Sequence, residues 1–348
     1  LKVLRAFQRS GWSCMLAAAV GLSAPDREKR GRGTLTRLNV PRPFFACLLA
    51  TLLAYPFTPR DSAPAPAEVF EFGNFALYVP GDAPTVRGVL LALGGPDTRA
   101  FLSDGSFGAP IPELEASLHL LGRDLRTLAA DHGLAMLGTS RYGPDAMPNL
   151  PQSDVLIFEA ISEGARISGR RGLASAPIFV YGISGGTPQA AGFTARNPAR
   201  VGALLLKVPA PPERPNLAEA LAVPTYLILA ERDAIMNNQA VVAVFESNRR
   251  AGGLWAVAVE PDVPHHSLTP SHRTITVNWL RAIVELRLGA AAQDPLRDVP
   301  ESSGWLGDPE MGISAWADYP GDREAASWFP SRATAEEWWE FVRGKDSH

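Results

Sequence analysis

Nine residues, Ile178-Phe179-Val180-Tyr181-Gly182-Ile183-Ser184-Gly185-Gly186, restrict the fold of this chain more than any other stretch. The apolar, β-branched start of the run reads as a buried strand. It then breaks into Gly-x-Ser-x-Gly, and a helical pattern follows from Thr187. A serine flanked by glycines at a change from strand to helix marks a sharp turn, where a β-carbon on the flanking residues would crowd the backbone. A hydroxyl carried on such a turn points to acyl transfer through a serine ester, and that chemistry requires partners elsewhere in the chain. An ordinary small residue in a tight turn is the plainer reading and requires none.

From residue 68 onward, short apolar runs alternate with longer helical ones. The pattern predicts strands at Phe75–Val79, Gly88–Leu93, Leu134–Thr139, Ile178–Tyr181, Ala203–Val208, Thr225–Ala230 and Trp255–Val259. Several are apolar on successive residues, as parallel strands buried on both faces are. Between them, Leu114, Leu118, Leu121, Leu125 and Leu128 recur at helical spacing from Glu113 to Asp131, with Gly133 as the stop. Further helices are expected over Ser153–Ile167, Thr187–Asn197, Asn238–Arg250 and His272–Arg287. The alternation implies an α/β domain over residues 68–290, with a mostly parallel central sheet and helices on both faces. Functional groups in such sheets collect at the C-terminal ends of the strands.

The order of elements supplies candidates there. Asp233 follows the expected strand Thr225–Ala230, with Glu231 as a weaker substitute. His265 and His266 follow Trp255–Val259. With the Gly182–Gly186 turn, these pieces resemble the α/β-hydrolase superfamily over roughly residues 70–288. The run Leu90-Leu91-Ala92-Leu93-Gly94-Gly95 resembles its glycine-bearing oxyanion loop. The resemblance implies Ser184 as nucleophile, His265 or His266 as base and Asp233 as its orienter. It also implies an oxyanion hole from the Gly185 amide and one amide of the Gly94–Asp97 loop. Pro96 has no N–H, so only Gly95 or Asp97 can donate from that side. Leu93-Gly94 replaces the usual His-Gly, and Pro264 stands where a glycine usually precedes the histidine. The resemblance also implies an order of strand, proline, turn and histidine, which places His265 in register and favours it over His266.

The expected function is a serine hydrolase acting on small or polymeric carboxylic esters. A serine peptidase of the same fold and a catalytically silent binding protein are the alternatives. The other roles open to these residues are structural. Asp233 can cap the following helix, and Asp97 and Arg99 can form a salt bridge instead of binding substrate. His119, His132 and His272 are expected at the surface or at helix ends.

A hydrophobic share of 46% with 20% charged residues suits a globular protein, and a formal charge of −3 with no basic stripe disfavours nucleic acid as a partner. The apolar run Phe44–Phe57 follows Arg32, Arg37 and Arg42 and precedes Ala63-Pro64-Ala65-Pro66-Ala67. That order reads as a secretory signal peptide, with an uncleaved membrane anchor as the alternative, so the protein is expected to be secreted or periplasmic. Residues 1–31, upstream of it, read as a disordered leader or an over-extended reading frame, and residues 1–67 are set apart from the fold. Both cysteines, Cys14 and Cys47, fall in that segment, so the folded part is expected to have no disulfide and no thiolate metal site. No metal-ligand spacing or phosphate-binding glycine loop is present, and no cofactor is expected.

After residue 290 the pattern changes. Trp305, Trp316, Trp328, Trp338 and Trp339 crowd into residues 291–348 among glycines, prolines and acidic residues. The tryptophans could form a sugar platform or a lid. The favoured reading is an irregular extension pinned to the domain, with one short helix at Ala333–Val342.

Overall fold

The computed structural model describes residues 67–344, apart from 82–84, 95–96, 104–106, 108, 110, 141–150, 212–219 and 290–293. The expected leader and apolar run lie outside the described residues, except for Ala67. Among the described residues no helix is long and apolar enough to cross a membrane.

Short apolar runs become strands and longer amphipathic ones become helices, in alternation. A hairpin of β1 (Glu68–Phe72) and β2 (Phe75–Val79) leads to β3 (Gly88–Gly94), α1 (Pro112–His132) and β4 (Leu134–Thr139). Next come α2 (Pro151–Ser168), β5 (Ile178–Ile183), α3 (Thr187–Arg196) and β6 (Val201–Lys207). The domain closes with β7 (Thr225–Arg232), α4 (Asn238–Arg250), β8 (Trp255–Pro264) and α5 (Pro270–Arg287). These eight strands form one sheet in the order β1-β2-β4-β3-β5-β6-β7-β8. The β1–β2 and β2–β4 pairs are antiparallel, and every pair from β4 to β8 is parallel.

Successive residues of a strand point to opposite faces, and the sheet therefore has two cores. Leu90, Ala92, Phe179 and Tyr181 face one core, where α1 and α5 pack through Leu118, Leu121, Leu125, Trp279 and Leu280. Val89, Leu91, Ile178 and Val180 face the other, packed by Ile157 and Ile161 of α2, Phe193 of α3, and Val241 and Phe245 of α4. Leu118, Leu121, Leu125 and Leu128 of α1 are fully buried, and each such side chain contributes about 1.5–3 kcal/mol of transfer free energy.

The C-terminal segment is more regular than its composition suggests. It holds a second antiparallel sheet, β10-β9-β11, built from β9 (Trp305–Asp308), β10 (Gly312–Ala315) and β11 (Ser327–Phe329). A helix, α6 (Arg332–Val342), follows it with a capping box at Ser331 and Thr334. Strands of three or four residues are too short to leave a readable alternation. Trp328, Phe329 and Trp338 are buried in the same core as α1 and α5. Three half-buried tryptophans are covered by the chain's own arginines: Arg323 lies 4.4 Å over the Trp316 ring, Arg343 5.1 Å over Trp339 and Arg332 5.7 Å over Trp305. Arg249 of α4, fully buried, donates to the carbonyls of Gly253, Ala326 and Arg323 and to Glu301 at 2.9 Å, and so clasps this segment to the sheet.

β8 ends the large sheet, and the C-terminal segment covers its outer edge. The Val257 amide donates to Ser327 Oγ at 3.1 Å, and the Val257 carbonyl accepts from Trp338 Nε1 at 2.8 Å.

Candidate active site

Three of the expected residues meet at the C-terminal ends of parallel strands. Ser184 leaves β5, Asp233 follows β7 and His265 follows β8. Ser184 Oγ lies 2.8 Å from His265 Nε2, and His265 Nδ1 lies 2.7 Å from Asp233 Oδ2. The His265 and Asp233 side chains are buried, whereas Ser184 is partly exposed and Gly185 exposed.

The turn that presents Ser184 is strained. Its φ is 50°, a left-handed value that serine adopts at a cost of about 1–3 kcal/mol. Both flanking glycines have packing reasons to lack a side chain. A β-carbon on Gly182 would lie 2.8 Å from Ala190 Cβ and from Leu206 Cδ2. One on Gly186 would lie 2.5 Å from the Gly94 nitrogen and closer still to the Leu93 carbonyl, which is backbone and cannot rotate away. Thr187, buried at the start of α3, locks the turn: its hydroxyl donates to the Ser184 carbonyl at 2.7 Å and accepts from the Ala210 amide at 3.1 Å.

Asp233 makes two sets of contacts. Oδ1 accepts from the amides of Ile235 at 2.8 Å and Met236 at 2.9 Å, while Oδ2 faces His265. The helix cap that could have been its role falls to Asn237, whose side chain accepts from the Ala240 amide. Burial pushes the Asp233 carboxyl up, but the Met236 and Ile235 amides and the His265 ring outweigh it and hold the pKa below the usual value. An ionised Asp233 accepts the Nδ1 proton of His265, and in that tautomer Nε2 is the acceptor facing Ser184.

His266 is exposed, and its ring stands edge-on to that of His265 with centroids 4.9 Å apart. The loop carrying both is braced at Asp262, where φ is 59°. The Asp262 amide donates to Glu231 Oε2 at 2.7 Å and its carbonyl accepts from Arg232. Glu231 therefore supports the histidine loop and does not replace Asp233.

For the oxyanion side, Gly185 is the second residue of a 3-10 turn opening into α3, where early amides lack intrahelical partners. Gly95 lies outside the described residues. The Asp97 amide donates to the Phe107 carbonyl at 3.2 Å, so of the two expected donors it is already engaged. The Asp97 carboxylate is likewise structural: it caps its own turn through the Arg99 amide and pairs with the Arg99 guanidinium at 2.6 Å.

His272 lies at a helix end, as expected, in the first turn of α5, but is buried instead of at the surface: its ring stands 6.3 Å from that of Phe341 and its Nδ1 lies 3.3 Å from Glu260. His119 and His132 sit on α1 near Glu115 and Glu285 at 3.6 and 3.7 Å. Sequence reasoning passed over Thr187 and Lys207. The signal for Lys207 was a single cation closing the apolar run Val201–Leu206 at a strand's C-terminal end. Among the described residues no group of three or more His, Cys, Asp or Glu side chains is placed to hold a metal ion.

No family model matches the chain, and no curated protein matches it in sequence. Among solved structures it is similar to a cold-adapted esterase from an Arctic intertidal metagenomic library, at 15% identity and a TM-score of 0.39, covering 65% of this chain and 96% of that one. An S-formylglutathione hydrolase from Agrobacterium tumefaciens aligns at 17% identity and a TM-score of 0.42, over 63% of this chain and 94% of the other. An acylaminoacyl peptidase from Pyrococcus horikoshii aligns at 14% identity and a TM-score of 0.44, over 67% and 43%.

Proposed function

We propose that the chain is a serine hydrolase of the α/β-hydrolase fold that cleaves carboxylic esters through an acyl-enzyme on Ser184. His265 Nε2 takes the Ser184 proton as Oγ attacks the ester carbonyl, and Asp233 holds the imidazolium that forms. The tetrahedral oxyanion is stabilised by the Gly185 amide together with one from the Gly94–Asp97 loop, for which Gly95 is the remaining candidate. Collapse of the intermediate expels the alcohol, which takes its proton from His265. A water then attacks the acyl-enzyme with His265 again as base, releasing the acid and restoring the Ser184 hydroxyl.

One observation carries this reading: an unbroken path of two short hydrogen bonds from a partly exposed serine, through a buried imidazole, to a buried carboxylate. The strained φ of Ser184 supports it, since strain of this kind gathers where a side chain must be presented. The basic, apolar and small-residue order of residues 32–67 supports export of the enzyme, and its substrates in this reading are small or polymeric esters.

The test is a panel of p-nitrophenyl esters run beside a peptide substrate, together with labelling by a fluorophosphonate probe. Ester turnover and labelling that both vanish in a folded Ser184→Ala variant are expected. Unlabelled wild-type protein, or esterase activity that survives the substitution, refutes the reading. Faster turnover of the peptide would make the protein a peptidase instead.

A further inference from the structure

We propose that Lys207 is a positioning residue of this site, holding the histidine loop from beneath through the His265 carbonyl. The proposal rests on the reading of Ser184 and His265 as nucleophile and base. In the sheet β6 lies between β5 and β7. Its last residue pairs with Ile183 on one side and Ile228 on the other, between the strand ends that carry Ser184 and Asp233. Four adjacent strand ends thus supply Ser184, Lys207, Asp233 and His265.

Lys207 is only 2% exposed, and its Nζ donates to the His265 carbonyl at 3.3 Å. None of the ion pairs among the described residues includes it. An ammonium in such a place carries a desolvation cost that a methionine, one atom shorter and uncharged, would not. What the amine adds is therefore the bond to the loop and a positive charge. The loop is anchored before His265 by the contacts of Asp262 and after it by the Ser267 amide, which donates to the Pro264 carbonyl. The Lys207 bond secures the residue between. The groups whose charges act on Lys207 are Glu260 of β8 and Asp233 after β7. Glu260 is itself held by Thr269 and by His272 of α5.

The amine also reaches the reaction through charge. A cation beside the Asp233–His265 pair opposes formation of the imidazolium. Removing it shifts the acid limb of kcat/KM to higher pH, an effect that loss of packing alone would not produce.

The experiment compares full-length wild type, Lys207→Met and Lys207→Gln. The readouts are the rate of Ser184 labelling by a fluorophosphonate, kcat and KM on a p-nitrophenyl ester, the pH profile and Tm. Misplacement of the base lowers the labelling rate and kcat of Lys207→Met by about 10- to 100-fold, with KM within about twofold and Tm unchanged or raised. Lys207→Gln, which keeps a neutral donor, recovers part of the rate but not the pH profile. A folded Lys207→Met protein that labels at the wild-type rate with an unmoved acid limb overturns the proposal. So does a loss of rate that only follows a fall in Tm in both variants. Wild-type protein that takes no label overturns the parent reading and this proposal with it.

Discussion

Replacing Gly186 by alanine tests whether the serine turn and the neighbouring loop are held in place by one close backbone approach. The new β-carbon would stand 2.5 Å from the Gly94 nitrogen, where ordinary contact begins at 3.4 Å. The end of β3 and the start of α3 must therefore part by about 1 Å, because backbone cannot turn aside as a side chain can. Overpacking of this kind costs about 1–3 kcal/mol. The larger effect falls on catalysis, since Gly94 leads into the loop that would supply the second oxyanion donor. A displacement of about 1 Å there costs roughly 100-fold in kcat. Gly182→Ala is the comparison on the same turn: at 2.8 Å its β-carbon meets Leu206 Cδ2, a side-chain tip that can yield, and Ala190 Cβ, which moves only with α3, and neither belongs to the Gly94 loop. Steady-state kinetics on a p-nitrophenyl ester, with Tm by circular dichroism, should show a much larger fall in kcat for Gly186→Ala than for Gly182→Ala. Equal losses, or a Gly186→Ala enzyme with wild-type kcat, would refute the argument.

The two adjacent histidines should separate cleanly: His265→Ala lowers kcat by about ten-thousand-fold or more, whereas exposed His266→Ala changes it by less than about tenfold. Arg249→Met leaves the Ala326, Gly253 and Arg323 carbonyls without their buried donor. That costs about 3 kcal/mol or more and lowers Tm by roughly 5–10 °C in a thermal melt; a melt within about 2 °C of wild type would contradict the clasp. Burial lowers the Lys207 pKa from 10.5 to about 8, so the folded chain binds this proton less tightly than the unfolded chain does. The cost is present in full below the folded value and is relieved as pH rises toward the unfolded one, by about 3 kcal/mol at most. Urea midpoints of wild type and Lys207→Met should therefore converge between pH about 8 and 10.5, and a gap independent of pH would count against it.

Strands buried on both faces and helices with a leucine stripe are local patterns, and they were legible as such. Phe75–Val79, Leu134–Thr139 and Asn238–Arg250 have the bounds expected of them. β1 was missed because Glu68-Val69-Phe70-Glu71-Phe72 is short and half polar, although Gly73-Asn74 between two phenylalanines is a hairpin signal. β8 runs on to Pro264 where the apolar pattern stops at Val259: its register with β7 shifts between Ala230 and Arg232, and Glu231 and Arg232 hold the irregular polar continuation through Asp262. The site was legible only as residue types at strand ends. Which ring faces Ser184, and that Asp97 has its amide engaged, depend on contacts between residues far apart in the chain. The burial of Lys207, Glu260 and His272 does so too, and no local pattern records it.

The side-chain cover on Val257 bears on how the molecule behaves in company. A terminal strand with free N–H and C=O groups is a template on which another chain can extend the ladder. Here an alcohol and an indole from beyond residue 320 occupy those groups, so the tryptophan-rich tail works as a stopper for the sheet. A polypeptide ended near residue 290 would keep every candidate catalytic group yet present a bare, sticky border on the strand that leads to the histidine loop. Oligomers or aggregates in place of monomers are the expected result.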